Sequence, residues 1–172
     1  MENGYRIEQA KPEYLAALPA IESAAANVFP AGMIPDEAKN YVLSLEAFEN
    51  ALVQKLLWLA ITADNQPAGF ALATVDNNDK SAMLAELDVL PNHQQRGLGK
   101  ALVQTVIEWA RSEGFKSLSL TTFCNVPWNA PFYKKLGFRY LLEKELTATL
   151  ITILNKEEEI GLKDRVAMRI DL

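Results

Sequence analysis

The chain has 172 residues, 49% apolar and 23% charged, with a net charge of −5. That length supports one sizeable core and is short for two. No apolar run approaches the roughly 20 residues that cross a bilayer, and the acidic balance lacks the basic face a nucleic-acid binder needs. The single cysteine, Cys124, closes no internal disulfide and offers no metal cluster. With no charged-then-apolar leader, the expectation is a cytoplasmic protein without metal, membrane or nucleic-acid partners. No repeat and no Pro-, Gly- or Ser-rich linker divides residues 1–172, which are expected to form one domain.

Residues 5–9 read as a short strand. Pro12 opens a helical stretch to about residue 28, and Pro19 should kink or divide it, because proline lacks the N–H and clashes with the preceding turn. The breakers in Phe29-Pro30-Ala31-Gly32-Met33-Ile34-Pro35 mark a loop. Ser44 starts a helix bearing Leu45, Phe48, Leu52 and Leu56. Residues 57–62 and 68–75 read as strands joined by a turn at 64–67. A polar turn at 76–80 leads into a strand over 83–90, completing an antiparallel meander. A helix over 98–111 carries Leu102, Val106 and Trp109 on one face and ends at Gly114. The strand at 118–122 then lies parallel to 83–90 through a right-handed crossover. Asn129 can cap a short helix with Pro131 in its first turn, and Gly137 ends it. Residues 138–146 are expected as a strand, 148–160 as helix or irregular excursion, and 165–170 as the last strand. The sum is an α/β (α+β) three-layer α/β/α domain with a mixed sheet of about seven strands and four or five helices.

The stretch Gln94-Gln95-Arg96-Gly97-Leu98-Gly99 joins a strand to a helix. The first N–H groups of a helix lack intrahelical partners and sit at the positive end of its dipole, so an anion is a natural guest there. A Rossmann fingerprint fails, because Leu102 stands where the third glycine belongs; a triphosphate loop fails at Gln94 and Ala101. Gln/Arg-x-x-Gly-x-Gly/Ala fits, with Gln94, Gly97 and Gly99 in place.

In context, the run Ala85-Glu86-Leu87-Asp88-Val89-Leu90-Pro91-Asn92-His93-Gln94-Gln95-Arg96-Gly97-Leu98-Gly99-Lys100-Ala101-Leu102 resembles the acetyl-CoA-binding core of the GNAT family, the Gcn5-related N-acetyltransferases. Trp128-Asn129-Ala130-Pro131-Phe132-Tyr133-Lys134-Lys135-Leu136-Gly137-Phe138 resembles the family's closing motif. The resemblance covers residues 5–140 and thins after Leu146. It implies transfer of acetyl from acetyl-CoA directly to a primary amine of a small molecule or peptide, with a catalytically idle acyl-CoA-binding module as the alternative. It implies a diphosphate cradle at Gln94, Gln95, Arg96, Gly97, Leu98, Gly99 and Lys100, acting through backbone N–H groups, with Arg96 and Lys100 adding charge. The pantetheine arm would pair with the exposed backbone of Asp88 and Val89. An N–H near Leu87–Val89 would hold the acetyl carbonyl. Tyr133 matches the tyrosine that protonates the departing thiolate. Glu86 is the candidate base; Asp88, on the same face by period-2 alternation, is the alternative base or an ammonium anchor, and a bulge would upset that assignment. Members are often homodimers.

The match departs from the pattern at Val126, where many members carry a pantetheine-binding asparagine; Asn125 or Asn129 would take that role, or Asn129 is a plain cap. Trp128 walls the channel or covers the core. Cys124 is read as structural, His93 as a surface residue, and Lys134 and Lys135 as a solvated helix face. The acceptor site is expected at 29–35, the helix that follows and the loop before Arg165. Phe29, Met33 and Trp58 would supply apolar contact, and Glu22, Asp36 and Glu37 would attract an amine.

Overall fold

A computed structural model describes residues 4–39, 42–76 and 80–172. Its sheet contains seven strands: β1 (Tyr5–Gln9), β2 (Leu57–Thr62), β3 (Pro67–Asp76), β4 (Ser81–Val89), β5 (Ser117–Phe123), β6 (Arg139–Tyr140) and β7 (Arg165–Asp171). They lie in the order β1-β2-β3-β4-β5-β7-β6. Neighbours are antiparallel except β4 and β5. The helices are α1 (Leu18–Ala26), α2 (Asp36–Lys39), α3 (Leu45–Val53), α4 (Leu98–Ser112), α5 (Ala130–Lys135) and α6 (Ala148–Glu159). Pro19 does divide the first helical stretch: a 3-10 segment, Pro12–Ala17, precedes α1, whose first turn holds the proline. Ser44 caps α3 by accepting the Ala47 N–H at 3.2 Å. No helix among the described residues is long and apolar enough to cross a membrane.

Helices cover both faces, so the central strands are apolar on both sides. Leu57, Leu59 and Ile61 of β2 and Phe70 and Leu72 of β3 meet Leu18, Ile21 and Phe48 on one face. Trp58, Ala60, Ala71 and Ala73 point the other way, under Leu98, Leu102, Val103, Val106, Ile107 and Ala110 of α4. Those α4 positions recur at helical period, which is why the segment buries one stripe there. Trp58 is therefore a core residue, 4% exposed and 5.2 Å from the ring of Trp109, not part of an acceptor site.

The C-terminal region corrects one expectation and decides another. The strand expected over 138–146 shrinks to β6, because Glu145 folds back to accept the Leu142 N–H at 2.9 Å and to clamp Arg139 at 2.8 and 3.1 Å. That turn removes the chain from the sheet edge. Residues 148–159 are helical, and Thr147 caps them by accepting the Leu150 N–H at 3.2 Å. The polar turn expected at 76–80 lies largely outside the described residues.

Two features of β4 set the direction of its side chains and its spacing from β3. Leu72 pairs with Glu86 and Ala73 with Leu84, so Ala85 is an extra, bulged residue. Beyond it, Leu87 and Val89 pack on the α4 face while Ala85 and Leu90 pack on the α1/α3 face. Alternation from Leu87 and Val89 puts Glu86 and Asp88 together on the α1/α3 face: the bulge precedes both and leaves their pairing intact. Gly69 of β3 lies so close to β4 that a Cβ there would meet the Asp88 carbonyl oxygen at 2.5 Å and Val89 Cγ2 at 3.0 Å. Gly69→Ala should therefore lower stability by about 2 kcal/mol, read by urea denaturation. An unchanged midpoint would contradict the tight approach.

Candidate active site

The parallel pairing of β4 with β5 is brief. Only Ala82–Leu118 and Met83–Ser119 are in register, after which the strands part. A cavity of about 800 Å³ occupies the fork, reaching from the turn before α4 to α1 and α6. The Leu90 N–H donates to the Ala68 carbonyl at 2.9 Å, so alternation turns the Leu87 and Val89 amides away from β3 toward the fork. The Asp88 backbone faces β3 and Gly69 instead, which corrects the expectation that Asp88 offers its backbone in the fork.

The turn is built to expose N–H groups. Gln95 (φ +60°) and Gly97 (φ +82°) are both left-handed, and such alternation makes an anion-binding concavity. The first intrahelical bond, Ala101 N–H to Gly97 carbonyl at 3.0 Å, leaves the N–H groups of residues 98–100 beyond the ladder. The Gln94 side chain donates to the Val89 carbonyl at 3.1 Å and pins the turn to the end of β4. Arg96 donates to the Asn92 carbonyl at 3.4 Å and does not line the cavity. His93 is half-buried, lines the cavity and shares a 2.7 Å hydrogen bond with the Tyr5 hydroxyl, so it is not a plain surface residue.

Glu86 and Asp88 line the cavity from the floor. Burial is the main cause that raises both carboxyls above the usual carboxylate range. Glu86 is pushed up to about 8 by burial and by the charges of Glu22 and Glu157, against the opposing Arg165. Asp88 is raised well above its ordinary value by burial, Glu86 and Glu22. Glu22 of α1 is raised by burial, offset in part by the Leu43 N–H that its Oε2 accepts at 3.0 Å. Tyr133 of α5 is 8% exposed, and burial, with the charges of Asp88 and Glu86, raises its hydroxyl above the ordinary range. A carboxylate raised toward neutrality beside a phenol held protonated is a base–acid combination.

The far wall is aromatic and apolar. The Phe29 ring lies 5.4 Å from Phe123 and 6.0 Å from Trp128, and the Arg165 guanidinium sits 4.6 Å over Phe123. Arg165 donates to Glu157 through Nη2 at 2.6 Å and Nε at 2.9 Å, and the Thr121 hydroxyl donates to the same Glu157 carboxylate at 2.6 Å.

The sequence model of the Acetyltransferase (GNAT) family matches residues 22–138. The chain belongs to the GNAT acetyltransferase family. Among curated GNAT relatives, it is 30% identical over 108 residues to the ribosomal-protein-bS18-alanine N-acetyltransferase of Salmonella typhimurium, covering 63% of this chain and 72% of that one. It is 32% identical over 90 residues to mouse N-acetyltransferase family 8 member 3, covering 52% and 39%. The chain thus spans about two fifths of that mouse protein's length. Among solved structures, a Thermoplasma acidophilum PaiA N-acetyltransferase in complex with coenzyme A superposes with a TM-score of 0.75 at 18% identity, covering 98% of this chain and 99% of that one. Neisseria gonorrhoeae N-acetylglutamate synthase, complexed with coenzyme A and N-acetyl-glutamate, gives 0.72 at 20% identity, covering 100% and 36%. At these identities the structural likeness establishes the GNAT fold.

Within this GNAT cavity the fold brings together Glu86, Leu87, Asp88, Val89, Gln94, Gln95, Gly97, Leu98, Gly99, Lys100, Asn129 and Tyr133. Asn125 is exposed and absent from the wall, because Val126 turns inward in its stead at 2% exposure. Asn129 holds the N-cap position of α5, yet its side chain makes no capping bond. Glu22, Phe29 and Trp128 line the cavity; Met33 and Asp36 do not, and the Glu37 side chain lies outside the described residues. Cys124 is half-buried, its N–H donating to the Asp164 carbonyl at 2.9 Å. Glu157 escaped the sequence reading because it sits in a Lys-Glu-Glu-Glu run that resembles a solvated helix face. Arg165 gains its place opposite Phe123 from the β5–β7 register, which no local pattern announces.

Proposed function

We propose that this chain transfers the acetyl group of acetyl-CoA directly to a primary amine bound in the cavity. The observation that carries the reading is one continuous cavity joining three parts: the N–H-rich turn before α4, the fork between β4 and β5, and a floor where Glu86 and Asp88 neighbour Tyr133. The residues present suit the donor. The left-handed pair Gln95 and Gly97 and the N–H groups of residues 98–100, outside the helical ladder, suit a diphosphate, with Lys100 beside them. The Leu87 and Val89 amides, turned toward the fork, suit an extended amide-bearing arm.

Acetyl-CoA supplies an activated acyl thioester when bound. On this reading, Glu86 accepts the proton that the incoming ammonium must lose, and a fork amide of β4 steadies the charge that develops on the acyl oxygen. Tyr133 Oη donates a proton to the leaving sulfur. Holding amine and acyl group together contributes most, up to roughly 7–11 kcal/mol in favourable cases, and acid–base assistance adds about 10²–10⁴-fold.

Two measurements test this. Acetyl-CoA should raise the melting temperature, since a ligand that binds only the folded state stabilises it by RT ln(1 + [L]/Kd). An amine library should then yield acceptors that release free thiol. Stabilisation without thiol release from any amine would leave only an idle acyl-CoA-binding module. Gly97→Val should weaken CoA binding at least tenfold, because a β-branched residue is strained at φ +82° and its side chain crowds the anion's approach. Calorimetry showing unchanged affinity would remove the turn from the reading.

A further inference from the structure

The acceptor half of the cavity is more acidic than one ammonium requires, an inference that rests on the amine-acceptor reading above. Glu22 from α1 lines the same cavity as Glu86 and Asp88 from β4, closely enough for its charge to act on both. Asp88 Oδ2 is sealed from solvent and has no hydrogen-bond partner among the described residues. A buried acceptor left unpaired is costly, so this atom calls for a donor from a ligand. Among the described residues, no three His, Cys, Asp or Glu side chains are spaced to share one metal ion. Glu22 and the Glu86–Asp88 pair come from different elements, α1 and β4, an arrangement that suits two cationic centres.

The surrounding cations answer that need only in part, Arg165 opposing the charges around Glu86. Arg165 of β7 is held by Glu157 of α6 through contacts of 2.6 and 2.9 Å and covers Phe123. Lys100 belongs to the turn before α4; His93 is tied to Tyr5; Lys39 of α2 lines the wall, but among the described residues no ion pair joins it to Glu22, Glu86 or Asp88. One oxygen of Glu22, Oε2, is fixed by the Leu43 N–H at 3.0 Å, which holds this carboxylate in the cavity wall. Val28, Phe29, Val42 and Leu43 line the same cavity. Such a wall suits methylene groups, and the aromatic faces near it also favour cations.

We propose that the acceptor is an aliphatic diamine-type dication without a carboxylate, its reacting nitrogen against Glu86 and Asp88 and its second nitrogen at Glu22, which makes Glu22 a specificity-determining residue. A carboxylate on the acceptor would face Glu22, Glu86 and Asp88 in surroundings whose burial already disfavours negative charge, and the arginine that would otherwise receive it is closed by Glu157.

Three matched amines test this by calorimetry on protein saturated with CoA, which lacks an acyl group and so allows no turnover. They are tetramethylenediamine; butylamine, which lacks the second nitrogen; and ornithine, which is the same diamine bearing a carboxylate. The diamine should bind at least tenfold tighter than either, about 1.4 kcal/mol. Glu22→Gln, whose side-chain oxygen can still accept the Leu43 N–H, should bring the diamine-to-butylamine ratio close to one. Equal binding of diamine and butylamine, tightest binding of ornithine, or an unchanged ratio in Glu22→Gln would overturn the proposal. If the variant fails to fold, the wild-type ranking decides alone. The heat of CoA binding is read first, so failure of the donor site is separable: the same ranking can be taken on CoA-free protein.

Discussion

Replacing Tyr133 with Phe is expected to lower kcat by two to four orders of magnitude while leaving CoA affinity unchanged. The size follows from the usual contribution of a positioned general acid. The specificity follows from the surroundings. Tyr133 packs against Phe132 at 5.1 Å and Phe138 at 5.7 Å between ring centroids, so Phe preserves the apolar contacts and deletes only the hydroxyl. That hydroxyl is held protonated by burial and by the neighbouring Asp88 and Glu86 charges, the state an acid requires. Steady-state kinetics beside calorimetry separates the two effects. Full activity in the variant would take Tyr133 out of the chemistry; lost CoA binding would make it a packing residue of the donor site.

Glu86→Gln is expected to act on both rate and stability, with opposite consequences. On the proposed reading Glu86 is the base and works only when ionised, so kcat/KM of the wild type should rise with pH and level off above about 8. The variant should lose that limb together with about 10²–10⁴-fold in rate. Stability runs the other way. The folded carboxyl titrates near 8 against an ordinary 4.5, so between those values the folded state binds more protons than the unfolded one. Wild-type stability should therefore fall as pH rises through that window, by a few kcal/mol in all. Glu86→Gln should flatten the decline and be the more stable protein at pH 8. Urea midpoints across the pH range read this directly. A variant with wild-type activity and the same pH slope would transfer the base role to Asp88.

The parts of the fold written in local chemistry were legible from residues alone. Proline and glycine punctuation located Pro19, Gly97, Gly114 and Gly137. Short apolar runs bounded by polar turns located β2 to β5, and helical spacing located α4, whose apolar positions recur on one face. What escaped depended on long-range register. The Ala85 bulge exists only against β3. Trp58 resembles a binding-site aromatic until α4 is laid over β2. The 138–146 run has strand composition, yet Glu145 folds it back after two residues. Within the site, the glycine turn was readable because a helix start has fixed backbone needs. The Arg165–Glu157 clasp was not, since its members come from α6 and β7 and meet only through tertiary packing.

On the proposed reading, the fork between β4 and β5 and the turn before α4 hold acetyl-CoA with its reactive end over Glu86, Asp88 and Tyr133. A crystal structure of the protein grown with CoA decides whether they do. The expected result is a diphosphate on the N–H groups of residues 95–100 and a sulfur within hydrogen-bonding reach of Tyr133 Oη. CoA seated elsewhere, or its absence at saturating concentration, would contradict the assignment.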